Sequence, residues 1–463
     1  MINPVLEPEL LMGLGVLATL ILAMVVRERS NAAYWSGLVF AVAAGVRSYT
    51  LHPTSHLVGG MMVADGYGLV VNIMVTAAVV AGLLLAFDSE RYTVEFPALL
   101  LLAGLGGMIM GLAANFILLF LGLELLSLPL YILAASRRDA RSAEAGIKYL
   151  LTGAFSSGVL LFGMALLYGS TGTVTFINYT TLHLVPVLLG AGLALVIVGL
   201  GYKLAMVPFH MWVPDVYEGS PTPVATFMAF GTKVAAAAAL LRVLAFGFSL
   251  TSGVWGLALG YFAVLTMLAG NLMALPQRDL KRLLAWSGVG NAGYVLVGIA
   301  SHTVSGAQAA LFYLLPYGMA VVLAFAVIRV LEGQQEGAQM EDLTGLAHRE
   351  PWLAAGLTVA LLSLAGIPLT AGFFGKFYLI KGALQGDQWG MAIGLVVATL
   401  VSLGVYFRPI QYMFRPGEGR PARWSVGAAV VVAGAGLATL FIGVYPEPLL
   451  HFVAQAATFT WLR

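Results

Sequence analysis

The sequence predicts an all-α polytopic membrane protein of about fourteen transmembrane helices, with two inverted five-helix repeats that each contain a broken helix. Three observations carry that expectation. The 463 residues are 60% hydrophobic and only 10% charged. Apolar runs of about 20 residues, the length that crosses a bilayer, recur from one end to the other. Two of those runs are interrupted by glycine and proline beside a lysine. A transmembrane barrel would show alternating segments of roughly ten residues instead. No polar stretch is long enough to fold alone, so residues 1–463 are expected to form a single transmembrane domain.

Taken in order, the apolar runs fall at 5–26, 32–50, 68–87, 94–113, 115–135, 145–169, 184–206, 223–247, 254–275, 283–300, 306–331, 352–383, 390–413 and 425–444. The first lacks the basic region and small-residue cleavage site of a signal peptide, so it reads as a retained span. The run at 352–383 is long because Gly366, Pro368 and Gly372 interrupt it. The tail from Pro446 to Arg463 is too short for another span. The seventh and twelfth runs are counterparts, five spans apart, each apolar, interrupted and carrying a lysine near the break. Five is odd, so successive five-helix blocks at 94–247 and 254–414 must have opposite orientations, which is inverted-repeat logic. Residues 1–90 and 425–463 would flank the repeats.

Arginine and lysine separate between alternate loops, and that asymmetry sets orientation. Arg27 and Arg29, Arg91, Arg137, Arg138 and Arg141, Arg278, Lys281 and Arg282, Arg349, and Arg415, Arg420 and Arg423 follow odd-numbered spans. These loops are expected in the cytoplasm, with both termini outside. The opposite side has little beyond span-edge Arg47 and Lys381 and terminal Arg463. The loop containing His210, Asp215 and Glu218 then faces the cytoplasm.

Composition also excludes chemistry. With no cysteine, the chain supplies no thiolate to an iron–sulfur cluster and attaches no c-type haem, so electron transfer is expected elsewhere. No strand is expected, hence no glycine-rich phosphate loop following one, and nucleotide chemistry is not indicated. Gly104, Gly106, Gly107 and Gly111 read as helix-packing glycines. His52 and His56 have an i, i+4 spacing, but in a proline-containing outer loop an interfacial role is favoured and no metal is expected. Nothing points to nucleic acid.

The charges inside the apolar runs point to function. Glu124 lies nine residues into its run, where an ionised side chain costs about 2.5–3.5 kcal/mol on insertion scales, so such residues face a cavity or one another. It either pins two helices together or belongs to a proton path. Lys203, in the same repeat, is its natural partner in charge, although its late position also allows snorkelling to the interface. Burial favours a neutral lysine and a neighbouring carboxylate favours a charged one, so moving either group changes the other's protonation. Arginine would stay protonated. Lys233 sits about eleven residues into its run, too deep to snorkel easily, and either relays protons or bonds the carbonyls freed by the break in the seventh span. Lys376 occupies the corresponding break of the second repeat, whereas Lys381 is nearer the membrane edge. That break in the seventh span is placed at Pro208, which removes a helix donor and clashes with the preceding turn. His210 beside it could pass protons from cytoplasmic water, its ordinary pKa being about 6.5, or hydrogen-bond a helix end. Glu144 and Lys148 have the i, i+4 spacing of a helix ion pair.

Five stretches then resemble the antiporter-like subunits of respiratory complex I: LGLELLSLPLY at 121–131, AEAGIKYLLTGAFSSG at 143–158, YKLAMVPFHMWVPDVYEGSPTPVA at 202–225, RDLKRLLAWS at 278–287 and LAGIPLTAGFFGKFY at 364–378. Within that family, PDVYEG at 214–219 and a lysine at Lys376 look like the N-type subunits of bacterial NADH:quinone oxidoreductase. The M and L types and the Mrp antiporters usually read PDA followed by other residues. The resemblance implies a proton-translocating subunit of the bacterial cell membrane, driven by quinone reduction in other subunits. Quinone, flavin and iron–sulfur clusters would belong to partner subunits, and other complex I membrane subunits and lipid would be the neighbours. It also implies that Glu124 and Lys203 form a coupling pair, Lys233 a central relay and Lys376 the terminal group, with His210 near the cytoplasmic uptake side. Asn291 stands where relatives often have histidine and cannot carry a proton, which leaves Tyr313, Tyr317 and water to link Lys233 to Lys376. An Mrp-type cation/proton antiporter subunit is the alternative, because it would use the same buried charges.

Overall fold

Lipid supplies no partner for a backbone N–H or C=O, so apolar runs of this length must satisfy themselves as helices. The computed structural model describes residues 6–25, 31–51, 57–63, 65–87, 92–176, 185–249, 252–332 and 337–456. Among them the helices are α1 (Glu7–Val25), α2 (Ala32–Thr50), α3 (Gly66–Ala86), α4 (Phe96–Leu112), α5 (Phe116–Ala134), α6 (Ala140–Thr171), α7 (Pro186–Leu204), α8 (Trp212–Gly219), α9 (Thr222–Gly247), α10 (Ser252–Ala274), α11 (Leu280–Ala300), α12 (Val304–Glu332), α13 (Leu346–Arg349), α14 (Pro351–Ala365), α15 (Ala371–Gln385), α16 (Trp389–Phe414), α17 (Val426–Val444) and α18 (Glu447–Ala456). Eleven are long and apolar enough to cross a membrane, and α4 and α14 are apolar but shorter.

Helix starts follow local chemistry. Asp65, Asn115, Asp139, Asp279 and Ser425 each accept a hydrogen bond from the backbone N–H three residues on, satisfying one of the donors that a helix start leaves free. One expectation fails here: a small antiparallel hairpin pairs Leu57 with Val63 and Val58 with Met62, so the chain does contain strand. Its three-residue connection carries Gly59 and Gly60, both at positive φ, and closes with the Met61 N–H donating to Val58 O at 3.1 Å. His52, His56, Arg27, Arg29, Arg91 and Arg463 lie outside the described residues.

Both broken spans end in the same way. At α7 the N–H of Met206 donates to Gly201 O at 2.8 Å and that of Ala205 to Tyr202 O at 3.1 Å. At α14, Ile367 donates to Leu362 O at 3.0 Å and Gly366 to Ser363 O at 3.0 Å. Each is the paired bonding that closes a helix around a left-handed residue. That residue is Gly366 in one case (φ 82°) and Ala205 in the other (φ 73°). The first break therefore falls at Leu204–Ala205, ahead of the expected Pro208, because tertiary packing holds an alanine in a conformation that the sequence does not advertise.

The inner helices are α9 and α11, buried along their whole candidate spans, with α12 and α3 mostly buried, while α1, α6 and α17 turn most of their surface outward. α11 is also the least apolar of the candidate spans. Polar side chains are thus concentrated where lipid does not reach. α4 meets α5 closely at Gly106, where a Cβ would come within 2.3 Å of the Leu126 nitrogen, so glycine is required by the approach of two backbones.

The basic connections gather at one end of the bundle. Arg408 donates to Leu275 O and Gln277 O, Arg420 to Gly337 O, Arg349 to Arg420 O, and Arg329 to Leu85 O. Buried Arg242 pairs with half-buried Asp65 at 2.8 Å, its guanidinium over the Tyr67 ring, tying α3 to the far end of α9. Span-edge Arg47 pairs with Glu7.

Candidate functional site

The two helix breaks leave carbonyls unused, and buried lysines meet them. Lys233, from α9, donates from Nζ to Leu204 O at 3.1 Å. Lys376, from α15, donates to Leu364 O and Ala365 O, each at 3.0 Å. Leu204 and Ala365 occupy the same position in their helices, immediately before the left-handed residue. A helix C-terminus carries the negative end of its dipole, so an ammonium there is stabilised both as a donor and as a charge. Lys233 therefore does bond a carbonyl freed by the break, and Lys376 follows the same rule. Lys376 also lies 4.6 Å above the Tyr294 ring.

Lys203, on the last turn of α7, is 2% exposed and does not snorkel. Its Nζ donates to the Tyr149 hydroxyl at 3.0 Å. Glu124 is half-buried and accepts from Ser157 Oγ at 2.5 Å. No direct ion pair joins Glu124 to Lys203 among the described residues. Lys203 lines a cleft among α5, α6 and α7 with Leu123, Tyr131, Ser157 and Tyr202, and Glu124 meets that cleft only through its bond to Ser157.

Between Lys233 and Lys376 lie neutral polar groups, four of which, Ser287, Asn291, Tyr313 and Tyr406, are hydrogen-bonded to one another. A Cβ placed on Gly288 would touch both the Tyr317 hydroxyl, at 3.3 Å, and Lys233 Cε, at 3.4 Å, so these two groups border one spot. The Tyr317 hydroxyl is buried with no hydrogen bond among the described residues. One residue before Gly288, Ser287 bonds the Tyr406 hydroxyl at 2.7 Å. Asn291 donates to Ser287 O at 2.8 Å and accepts from the Tyr313 hydroxyl. Tyr313 packs edge-on to Tyr294, the ring beneath Lys376. Asn291 is thus the hub of these four. A tyrosine or serine hydroxyl both donates and accepts, so it can pass a proton without holding charge.

His210 lies in the connection between α7 and α8, half-buried, its ring 5.2 Å from Trp286 and its Nδ1 buried without a partner among the described residues. Nearby, Lys148 contacts Glu144 and Asp215, each at 2.7 Å, so the expected i, i+4 pair forms. Arg282 reaches Asp215 at 2.7 Å and Glu218 at 2.9 Å. Partial burial pushes the Asp215 carboxyl up, but the hydrogen-bonded Lys148 and Arg282 outweigh it and hold Asp215 below its ordinary value. It stays ionised, which suits a clamp between α6, α8 and α11. Lys381 is exposed near the end of α15.

Tyr149, Ser287, Tyr294 and Tyr406 do not stand out in the sequence, because neutral hydroxyls in apolar runs look ordinary. Lys281, expected in a basic loop, is instead fully buried, donating to Ser220 O at 2.6 Å and lying 3.7 Å from Glu332. The i, i+4 and i, i+7 spacing of Ser287, Asn291 and Tyr294 on one helix face was the signal available.

Buried lysines at paired helix breaks, with buried hydroxyls lying between them inside a helical bundle, define an ion-conducting membrane protein. The family described as NADH:quinone oxidoreductase/Mrp antiporter, TM, matches residues 113–402. NADH-quinone oxidoreductase subunit N of Desulforamulus reducens is 37% identical over 95% of both chains. That of Trichlorobacter lovleyi is 40% identical over 98% of this chain and 96% of its own. A chain of respiratory complex I from Thermus thermophilus superposes with a TM-score of 0.83 at 34% identity, covering 96% of this chain and 98% of that one. A chain of the Mrp complex from Dietzia sp. reaches a TM-score of 0.88 at 23% identity, which shows the shared fold alone. The chain belongs to the antiporter-like family of NADH-quinone oxidoreductase subunit N.

Proposed function

We propose that this chain translocates protons along Lys203, Lys233 and Lys376, driven by quinone reduction in other subunits of the complex. It is a proton-translocating, antiporter-like membrane subunit of complex I. The observation that supports the path is the pair of lysine-capped helix breaks with the Tyr317 hydroxyl and the hydrogen-bonded Ser287, Tyr406, Asn291 and Tyr313 between them. Glu124, bonded to Ser157 at the cleft that Lys203 lines, acts on Lys203 by its charge, so a change of charge at the α5 edge biases whether Lys203 holds its proton. Lys233 takes the central step because its ammonium can leave the Leu204 carbonyl as a neutral amine, and the hydroxyl chain leads on to Lys376. His210 is the uptake-side group. In this reading the flavin, iron–sulfur clusters and quinone belong to partner subunits, and other membrane subunits are the neighbours. The chain spans the bacterial cell membrane about fourteen times as two inverted repeats.

Orientation follows from the basic loops gathered at one end. Reporter fusions after Arg141 and Arg420 are expected to read cytoplasm and one after Ser252 the outside. Two reversed reporters would move His210 to the wrong side.

The shared fold favours one second reading, an Mrp-type antiporter subunit. Partners separate the two. Gentle extraction is expected to recover this chain in a large complex containing flavin and iron–sulfur subunits, with quinone reductase activity. Recovery with membrane antiporter subunits alone, and vigorous sodium-driven proton exchange by the purified chain in liposomes, would favour the antiporter.

A further inference from the structure

Glu9 lies apart from the lysine path, in the first turn of α1, and is 8% exposed. Its Oε1 accepts from Nδ2 of Asn72, a fully buried residue of α3, at 2.6 Å. The remaining oxygens, Glu9 Oε2 and Asn72 Oδ1, are both buried with no hydrogen-bond partner among the described residues. An ionised carboxylate only accepts, so it leaves both oxygens without a donor. Nearby charges are committed elsewhere. Glu7 on α1 and Arg47 on α2 pair with each other. Asp65, which caps α3, pairs with Arg242 of α9, and Lys233 of α9 bonds Leu204 O. Glu447 and His451 of α18 line a cavity with Lys381. α4 and α17 carry no charged residue. No cation is therefore placed to balance a Glu9 carboxylate among the described residues.

One proton removes the difficulty. A carboxylic acid donates from Oε2 to Asn72 Oδ1 while Asn72 Nδ2 donates to Oε1, which closes a cyclic acid–amide pair and leaves no polar atom of either group unbonded. We propose that Glu9 is held as a neutral carboxylic acid whose proton is shared with Asn72, forming a protonated carboxyl site between α1 and α3 that takes lipid-soluble carbodiimides. In that reaction the carboxyl oxygen bonds to the central carbodiimide carbon and the acid proton passes to one carbodiimide nitrogen. An O-acylisourea forms with no leaving group. Its acyl carbon then moves to the imine nitrogen, breaking the bond to oxygen, and leaves a stable N-acylurea. The reagent arrives through lipid, since neighbouring Leu10 and Leu14 of α1 are exposed.

The test uses the intact complex in native membranes at neutral pH. Infrared difference spectra between wild type and Glu9→Gln are expected to show a protonated-acid carbonyl band lost in the variant. Treatment with dicyclohexylcarbodiimide is expected to leave an adduct on the Glu9 peptide by mass spectrometry. Glu9→Gln should assemble and turn over like wild type, because its amide can pair with Asn72 through the same two hydrogen bonds, whereas Glu9→Ala should lower thermal stability. A spectrum with no acid band lost overturns the proposal, as does failure of Glu9→Gln to assemble.

Discussion

Replacing Lys233 by alanine is expected to abolish proton pumping while the complex still assembles. The substitution removes the ammonium that meets Leu204 O at 3.1 Å, at a site that is 2% exposed. The carbonyl left without a donor costs about 1–3 kcal/mol, which a large assembled bundle tolerates. What is lost is the titratable group between Lys203 and the Tyr317 hydroxyl, and no hydroxyl can replace it because a hydroxyl passes a proton without storing one. Lys233→Arg separates charge from titration: arginine keeps donors for the carbonyl but does not release its proton, so assembly is retained and pumping is not fully restored. Glu124→Gln removes only the modulating charge and is expected to be milder or equal. The measurement is the ratio of protons moved to electrons passed to quinone in sealed vesicles. A wild-type ratio in Lys233→Ala would remove Lys233 from the path.

The second large effect is on stability and falls on a pair outside that path. Glu332, at the end of α12, accepts from Thr222 Oγ1 at 2.7 Å and from the Gly337 N–H at 3.3 Å, and lies 3.7 Å from buried Lys281. Lys281 in turn holds Ser220 O, so this cluster ties the connection between α8 and α9 to α11 and α12. Glu332→Ala takes one carboxylate away from beside a buried ammonium, and breaking a buried pair costs about 3–5 kcal/mol. Recovery of the subunit in the complex should fall, and its thermal unfolding should shift down. The double change Lys281→Met with Glu332→Leu should regain much of the loss, since apolar replacement of a whole buried pair is often neutral. Wild-type unfolding of Glu332→Ala would show that the pair carries no stability.

These two sites differ in how far they can be read from the chain. Lys233 stands out because an ionisable residue deep in an apolar run is costly and needs a reason. Lys281 does not, because it sits among Arg278 and Arg282 in a basic stretch that looks like a loop. The same contrast holds at the breaks. Gly366 marks the end of α14 openly, while Ala205 ends α7 with no glycine, and the sequence points instead to Pro208. Glu124 and Lys203 are recognisable as charges, but their immediate partners, Ser157 and Tyr149, are 33 and 54 residues away from them in the chain. Asn291 reads as a lost proton carrier, yet the fold makes it the centre of a hydroxyl chain with Tyr313 and Tyr406.

By itself the sequence determined the helical membrane class, the positions of the long apolar elements and which of their residues carry charge. Lipid makes these local properties: each run must satisfy its own backbone, and each charge within it stands out against apolar neighbours. Only the tertiary structure decided which carbonyls the lysines meet, which hydroxyls lie between them, and that α9 and α11 lie innermost. Those facts depend on groups brought together across tens to more than a hundred residues, as Ser287 meets Tyr406 across 119, and local sequence carries no record of a contact made at that separation.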